Sequence, residues 1–189
     1  MIKKEIRKIY REKRAAITPS VKNKLEDLML IGFQKLDLHI PNIIMTYAAF
    51  EDEFDPQLIT DYCQFRNPAR QLLYPVINKE ADNLLAMATN DDTIFNRNAL
   101  GIDEPSGGHV MEPEDIDLLI VPLLSFDRRG YRVGYGKGYY DKFLKNCRKD
   151  AIKIGFSFFE PEDVIDDVNH FDIRLNHCIT PENIYHFTA

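Results

Sequence analysis

The sequence predicts a single α/β domain, three layers deep (α/β/α), with a mostly parallel sheet at its centre. Three observations predict it. Segments patterned as strands alternate with segments patterned as helices, the order that builds parallel sheets through helical crossovers. The most hydrophobic run of the chain, Asp117 to Phe126, is apolar on both faces, as suits a central strand covered on two sides. At 189 residues the chain is long enough for one full core and cramped for two.

Element by element, residues 2–16 read as a basic helix with Ile2, Ile6, Ile9 and Tyr10 on one stripe. Thr18 and Pro19 start a second helix, a cap followed by proline in the first turn. Leu25, Leu28, Gly32 and Leu36 mark its buried face, and Pro41 closes the segment. Ile43 to Tyr47 reads as a buried strand. Asp55-Pro56 repeats the cap-plus-proline start for a third helix with Leu58, Ile59, Tyr62 and Cys63 as its apolar face. Leu72 to Val76 is a strand interrupted by Pro75, and Leu84 to Thr89 a further one. Asn96 to Met111 reads as loop. After the Asp117–Phe126 strand come a loop rich in glycine and arginine, a helix from about Gly138 to Asn146, and a strand over Ile152 to Ser157. In such sheets ligands gather at the carboxyl ends of the strands, which is where the loop after Phe126 lies.

Composition narrows the function classes. Hydrophobic residues are 44% and charged residues 29%, both in the globular range. The formal net charge of −6 argues against overall attraction to nucleic acid or anionic membrane. The odd and distant cysteines, Cys63, Cys147 and Cys178, build neither a disulfide framework nor a metal knuckle, and read as reduced thiols. No apolar run approaches the roughly 20 residues of a membrane span, and the N-terminus lacks a secretory signal, so the expected compartment is the cytoplasm.

Three constellations can carry chemistry. The first runs through Gly134-Tyr135-Gly136-Lys137-Gly138-Tyr139-Tyr140-Asp141. Its glycines let the backbone approach a ligand and let successive N–H groups point at one anion. A helix starting near Gly138 adds its free N–H groups, Arg132 and Lys137 add charge, and Asp141 can hold a divalent metal that bridges phosphates. The spacing fits neither the dinucleotide fingerprint nor the Walker A loop. An anion site and a plain tight turn with packed tyrosines therefore stand as equal readings.

The second constellation is the N-terminal helix, where Lys3, Arg7, Arg11 and Arg14 fall along one face. A solvated charged face is the ordinary explanation; contact with phosphates is the functional one, and no RNA-recognition signature supports a third. The third is the acidic loop Glu51, Asp52, Glu53 and Asp55, either exposed charge or a carboxylate that accepts from a ligand's N–H groups. His170 and His177, seven residues apart, can share a helix face but do not by themselves make a metal site. Ser125 lacks the context of a hydrolase nucleophile.

Taken together, these residues resemble the 5-formyltetrahydrofolate cyclo-ligase family. The resemblance runs through Asp117–Asp127, Gly130, Arg132 and Gly134–Asp141. It also takes in the Lys-x-x-x-Arg pair Lys3 and Arg7, Glu53-Phe54-Asp55, Leu100–Pro105, and Phe171-Asp172 ahead of Cys178-Ile179-Thr180. Departures from the family pattern fall at Pro56, Leu123, Ser125 and Asn176.

The resemblance implies an ATP-dependent ligase of one-carbon metabolism. It would close 5-formyltetrahydrofolate to 5,10-methenyltetrahydrofolate through a phosphorylated formyl group, releasing ADP and phosphate. Lys3, Arg7, Arg132 and Lys137 are the implied catalytic cations. ATP is expected on these together with Lys4, Gly134, Tyr135, Gly136, Gly138, Tyr139 and Tyr140. The implied folate residues are Glu53, Tyr139 and Tyr140, and the implied Mg²⁺ ligands are Asp141 and Asp172. The expected partners are these small molecules, with neither nucleic acid nor membrane, and the chain a monomer or weak homodimer. Two alternatives remain: a non-catalytic folate- or nucleotide-binding relative, and a kinase or ligase for another small substrate on the same scaffold.

Overall fold

The computed structural model describes residues 1–50 and 52–187. In chain order the elements are α1 (Lys3–Ala15), α2 (Pro19–Lys35), β1 (Ile43–Met45), α3 (Gln57–Arg66), β2 (Gln71–Asn78), β3 (Asn83–Ala88), β4 (Phe95–Arg97), β5 (Asp103–Pro105), β6 (Val110–Met111), β7 (Leu118–Val121), β8 (Ser125–Phe126), β9 (Arg132–Val133), α4 (Tyr139–Leu144), β10 (Ile152–Phe156), β11 (His177–Ile179) and β12 (Ile184–His186). Eight strands form one sheet in the order β12-β11-β10-β7-β1-β2-β3-β6. The inner run from β11 to β2 is parallel, and β12, β3 and β6 are antiparallel additions at the margins.

Strand alternation divides the core into two faces. Ile44, Leu118, Ile120, Ile154, Phe156 and Ile179 point toward Met29 and Phe33 of α2 and Ile59 and Cys63 of α3. Met45, Leu73, Leu119, Val121 and Cys178 point the other way, toward Phe143 and Leu144 of α4 and toward Phe126 and Leu175. The third layer is thus one short helix with ordered loops. β7 is buried at every position, and each of its side chains contributes roughly 1.5–3 kcal/mol on burial. α1 belongs to neither face. Its Ile6 and Tyr10 pack on Leu124, Val133 and Ile165 beyond the sheet's carboxyl edge.

Thr18 caps α2 as its sequence predicts, its hydroxyl accepting from Val21 N–H. Gly32 lies against Ile179, where a Cβ would come within 2.8 Å of the isoleucine Cγ2, so the helix approaches β11 only because that position is bare. Other expectations need correction. Leu28 and Leu58 are exposed, as is Ile2; the buried faces turn instead on Met29 and Phe33, and on Ile59 and Cys63. Such apolar residues flank the buried stripe, and hydrophobicity alone does not separate stripe from flank.

β2 runs unbroken through Pro75, which lies past Leu73, the last residue paired with β1. Neighbouring Ile77 donates its N–H to Glu104, so this margin of the strand is satisfied by a side chain. The stretch 96–111 contains residues of three short strands, β4, β5 and β6. Asp117 to Phe126 is two strands: β7 ends before Pro122, and β8 pairs with β9 in a separate ribbon. α4 is shorter than expected, and β11 and β12 fall where no strand was expected. His177 is on β11, paired with His186, so it shares no helix face with His170. The three cysteines are free thiols. Among the described residues, no helix is long and apolar enough to cross a membrane.

Candidate active site

Beyond the carboxyl ends of β7 and β10, the chain builds a platform from the β8–β9 ribbon. Its keystone is Asp127, a fully buried carboxylate. It accepts from the N–H groups of Arg129, Tyr131 and Ile165 and from the Arg129 guanidinium, at 2.7–3.1 Å. A buried charge is tolerated only with such saturation. The turn it closes places Arg132 on β9, 6% exposed. One Arg132 amino group donates to the Ile173 carbonyl and the other to Asp141 Oδ1, both at 2.9 Å. Ile173 N–H also reaches Asp141 Oδ1, at 3.2 Å.

The glycine loop follows. Gly136 and Gly138 have φ of +100° and +71°, conformations that side chains rarely adopt. From Gly134 to Gly138 no backbone N–H donates to another described residue, leaving a row of open donors at the exposed loop. α4 has six residues. An anion here would therefore rely on the loop amides more than on the helix dipole anticipated from the sequence. Lys137 is exposed beside this row.

The basic helix does reach the loop. Arg7 Nε donates to the Gly134 carbonyl at 2.9 Å, and a Cβ at Gly136 would lie 3.3 Å from the Arg7 guanidinium carbon. Lys3 Nζ contacts both oxygens of Asp172, at 2.6 and 2.5 Å. α1 is held in place by Lys3 N–H on Asp167 and by the Tyr10 hydroxyl on Glu162. The structure thus brings together Lys3, Arg7, Arg132, Asp141 and Asp172 around the glycine loop. Lys4 and Arg11 face solvent.

The two carboxylates suit a hard divalent cation in kind, since both offer oxygen, and both oxygens of Asp172 face Lys3 while one also accepts from Asn169 N–H. Asp141 Oδ2 accepts no hydrogen bond from the described residues. Among those residues no group of three or more His, Cys, Asp or Glu is placed to hold a metal. Mg²⁺ bound through one or two carboxylates, water and phosphate oxygens needs no such cage. Asn176, where the family pattern has a second aspartate, takes no part: it pairs with the backbone of Lys153.

On the other side of the loop lies Glu53, 6% exposed. Burial pushes its carboxyl pKa up, while the Tyr135 hydroxyl, the Phe50 amide and Arg14 draw it partly back. Phe50 N–H donates to Oε2 at 2.8 Å. Three tyrosines surround it electrostatically: Tyr47, Tyr135 and Tyr140. The Tyr140 hydroxyl is buried without a partner among the described residues. Tyr139 differs from its neighbour, being partly buried against the core cluster of Phe143 and Leu144 and acting on Asp82 of the β2–β3 turn. A cleft of about 280 Å³ opens nearby, lined by Tyr47, Ala48, Ala49, Tyr74 and Phe95. Of the acidic loop, Asp52 pairs with Arg14, Asp55 accepts from Gln57 N–H, and Glu51 lies outside the described residues.

Sequence reasoning passed over three groups here. Asp127 was visible only as part of a motif, Tyr47 only as the end of a strand, and Arg14 only as one more charge on a basic face. Aspartate ahead of Arg-Arg-Gly is the one local signal, a turn-forming carboxylate.

Comparison with known proteins bears on this arrangement. The family model of the 5-formyltetrahydrofolate cyclo-ligase family matches residues 1–181. The chain is 27% identical to the 5-formyltetrahydrofolate cyclo-ligase of Haemophilus influenzae over 186 residues, covering 92% of each chain. It is 36% identical to that of Mycoplasma pneumoniae over 75 residues, 39% of this chain and 44% of the relative, so this match spans under half of the relative's length. The NMR structure of Aquifex aeolicus 5,10-methenyltetrahydrofolate synthetase superposes with a TM-score of 0.76 at 25% identity, covering 100% of this chain and 94% of that one.

Proposed function

The chain belongs to the 5-formyltetrahydrofolate cyclo-ligase family, and from that premise we propose that it closes 5-formyltetrahydrofolate to 5,10-methenyltetrahydrofolate at the expense of ATP. The formyl oxygen is a poor leaving group, so it must first be converted into a better one. It attacks the γ-phosphorus, the bond to ADP breaks, and an iminophosphate forms. N10 then attacks the formyl carbon and loses its proton, the carbon–oxygen bond breaks, and phosphate departs with the formyl oxygen.

A phosphoryl transfer of this kind asks for charge neutralisation and alignment more than for a covalent nucleophile. Lys3, Arg7, Arg132 and Lys137 supply the positive charge, with Lys4 at the solvent margin. The open amides of the glycine loop cradle the phosphates. Mg²⁺, held by Asp141 and Asp172, would supply further neutralisation of the triphosphate. Glu53 accepts from the N–H edge of the pterin, and Tyr140 walls the slot beside it.

The observation that carries this reading is the contact of Arg7 Nε with the Gly134 carbonyl, 2.9 Å across 127 residues of sequence. It sets the basic helix against the glycine loop, which supports reading the two as one site. Incubation with 5-formyltetrahydrofolate, ATP and Mg²⁺ is expected to yield the methenyl product, seen by its absorbance, with one ADP for each turnover. Product without ATP, or no product with it, rejects the proposal. ADP formed only with some other acceptor would assign a different substrate to the same scaffold.

A further inference from the structure

The inward-facing charge of α1 continues past the phosphate side of the site. Arg14, about two turns beyond Arg7, is 5% exposed, one of the most deeply buried charges in the protein. One amino group donates to the Tyr135 hydroxyl and the other to Asp52 Oδ1, each at 2.7 Å. Its Nε–H is buried with no acceptor among the described residues. Burying a guanidinium with an unfilled donor is costly, and neutral packing would serve stability at least as well.

The partners show what the cost secures. Asp52 immediately precedes Glu53, and Tyr135 comes from the glycine loop. One planar fork therefore ties α1 to both walls of the Glu53 slot. Glu53 is anchored locally by Phe50, its backbone N–H donating to the Phe50 carbonyl at 2.7 Å and its carboxylate receiving the Phe50 N–H at 2.8 Å, and the Tyr135 hydroxyl that Arg14 holds also acts on the carboxylate. The groups that face the carboxylate are Arg14 from α1, Asp52 from its own loop, Tyr135 from the glycine loop, Tyr140 from α4 and Tyr47 after β1. Arg14 is the cation among them.

We propose that Arg14 is a positioning residue for Glu53, holding the folate-facing carboxylate in place through Asp52 and Tyr135 and taking no part in binding the triphosphate. The basic helix is thereby split in role, its first turns serving phosphate and its last turn the carboxylate that faces the pterin. The inference rests on the folate reading of the site. A fork is needed, since the two acceptors lie on different segments. Lysine keeps the charge but presents no planar pair of donors, so Arg14→Lys should recover only part of the function.

The test is calorimetric titration, in separate experiments, of 5-formyltetrahydrofolate and of a non-hydrolysable ATP analogue with Mg²⁺. The proteins are the wild type, Arg14→Met, Arg14→Lys and Asp52→Ala. Arg14→Met is expected to weaken folate binding about tenfold or more while nucleotide affinity stays within about twofold, with Arg14→Lys intermediate. Asp52→Ala removes the other acceptor of the Arg14 fork, and its folate affinity should fall at least threefold with nucleotide affinity within about twofold; it decides the matter should Arg14→Met fail to fold. Equal loss for both ligands, loss confined to the nucleotide, or undiminished folate binding overturns the assignment. Failure of the wild type itself to bind the reduced folate would instead sink the folate reading.

Discussion

Lys3 Nζ lies 2.6 Å from one oxygen of Asp172 and 2.5 Å from the other, so the first turn of α1 closes against the 169–172 turn through an ion pair that is largely shielded from solvent. Arg132 does the same for Asp141 at 2.9 Å. Each carboxylate proposed to face the metal is thus held by a cation proposed to face phosphate. Arrival of the magnesium nucleotide would exchange partners on both sides without leaving a charge bare.

Lys3→Met should therefore raise the KM for ATP about tenfold or more, the range of one charge-assisted contact, and leave the KM for the folate within about threefold. Initial rates at varied concentrations of each substrate separate the two. An equal rise in both constants would mean that Lys3 acts only by anchoring the helix.

Asp141→Ala should lower kcat at least a hundredfold with the protein still folded. Because Asp141 also receives Arg132 and Ile173 N–H, Asp141→Asn is the sharper variant. It keeps an acceptor for both donors and loses the charge. Its melting temperature should stay near that of the wild type, while its activity no longer saturates in the wild-type range of Mg²⁺. Unaltered metal dependence would place the cation elsewhere.

Glu53 should show a conflict between stability and function. Burial is the main cause raising its carboxyl pKa above the ordinary value. A raised native pKa means that the folded protein binds the proton more readily than the unfolded chain. Stability is then lost as the pH rises from the ordinary carboxylate value through the raised one, and ionised Glu53 costs stability near neutrality. Glu53→Gln should melt higher than the wild type at pH 7.5, with the gap closing as the pH falls toward the ordinary carboxylate range. Its KM for the folate should rise at least tenfold. Thermal melts across pH and steady-state rates check both halves.

Gly136→Ala meets two obstacles, a φ of +100° and the Arg7 guanidinium 3.3 Å from the new methyl group. Strain of this kind costs on the order of 1–3 kcal/mol. Denaturant melts should show that loss, and the KM for ATP should rise with the displacement of Arg7. A variant as stable as the wild type and equally active would show that the loop is free to relax.

The fold class was legible because its signals are local. Helix starts follow from Thr18-Pro19 and Asp55-Pro56, and β7 from an apolar run that no exposed strand would carry. The glycine loop was legible for the same reason, since three glycines in five residues restrict what the backbone can be doing. The marginal strands were not. β4, β5, β6, β11 and β12 are two or three residues long, and partners far along the chain decide their pairing. Two residues of strand leave almost no periodicity to read.

By itself, the sequence determined the alternation of strand and helix, the two-sided core strand, the basic character of the first helix, and the glycine turn whose amides stand open. Backbone preference and side-chain period act over a few residues, and both are written along the chain. Only the tertiary structure decided which charges meet: Lys3 with Asp172, Arg7 with Gly134, Arg132 with Asp141, and Arg14 with Asp52 and Tyr135. Along one helix face these arginines are equivalent by period and composition. What separates them is the surface each meets once α1 packs on the β8–β9 ribbon through Ile6 and Tyr10, and that surface is assembled from segments far apart in the chain.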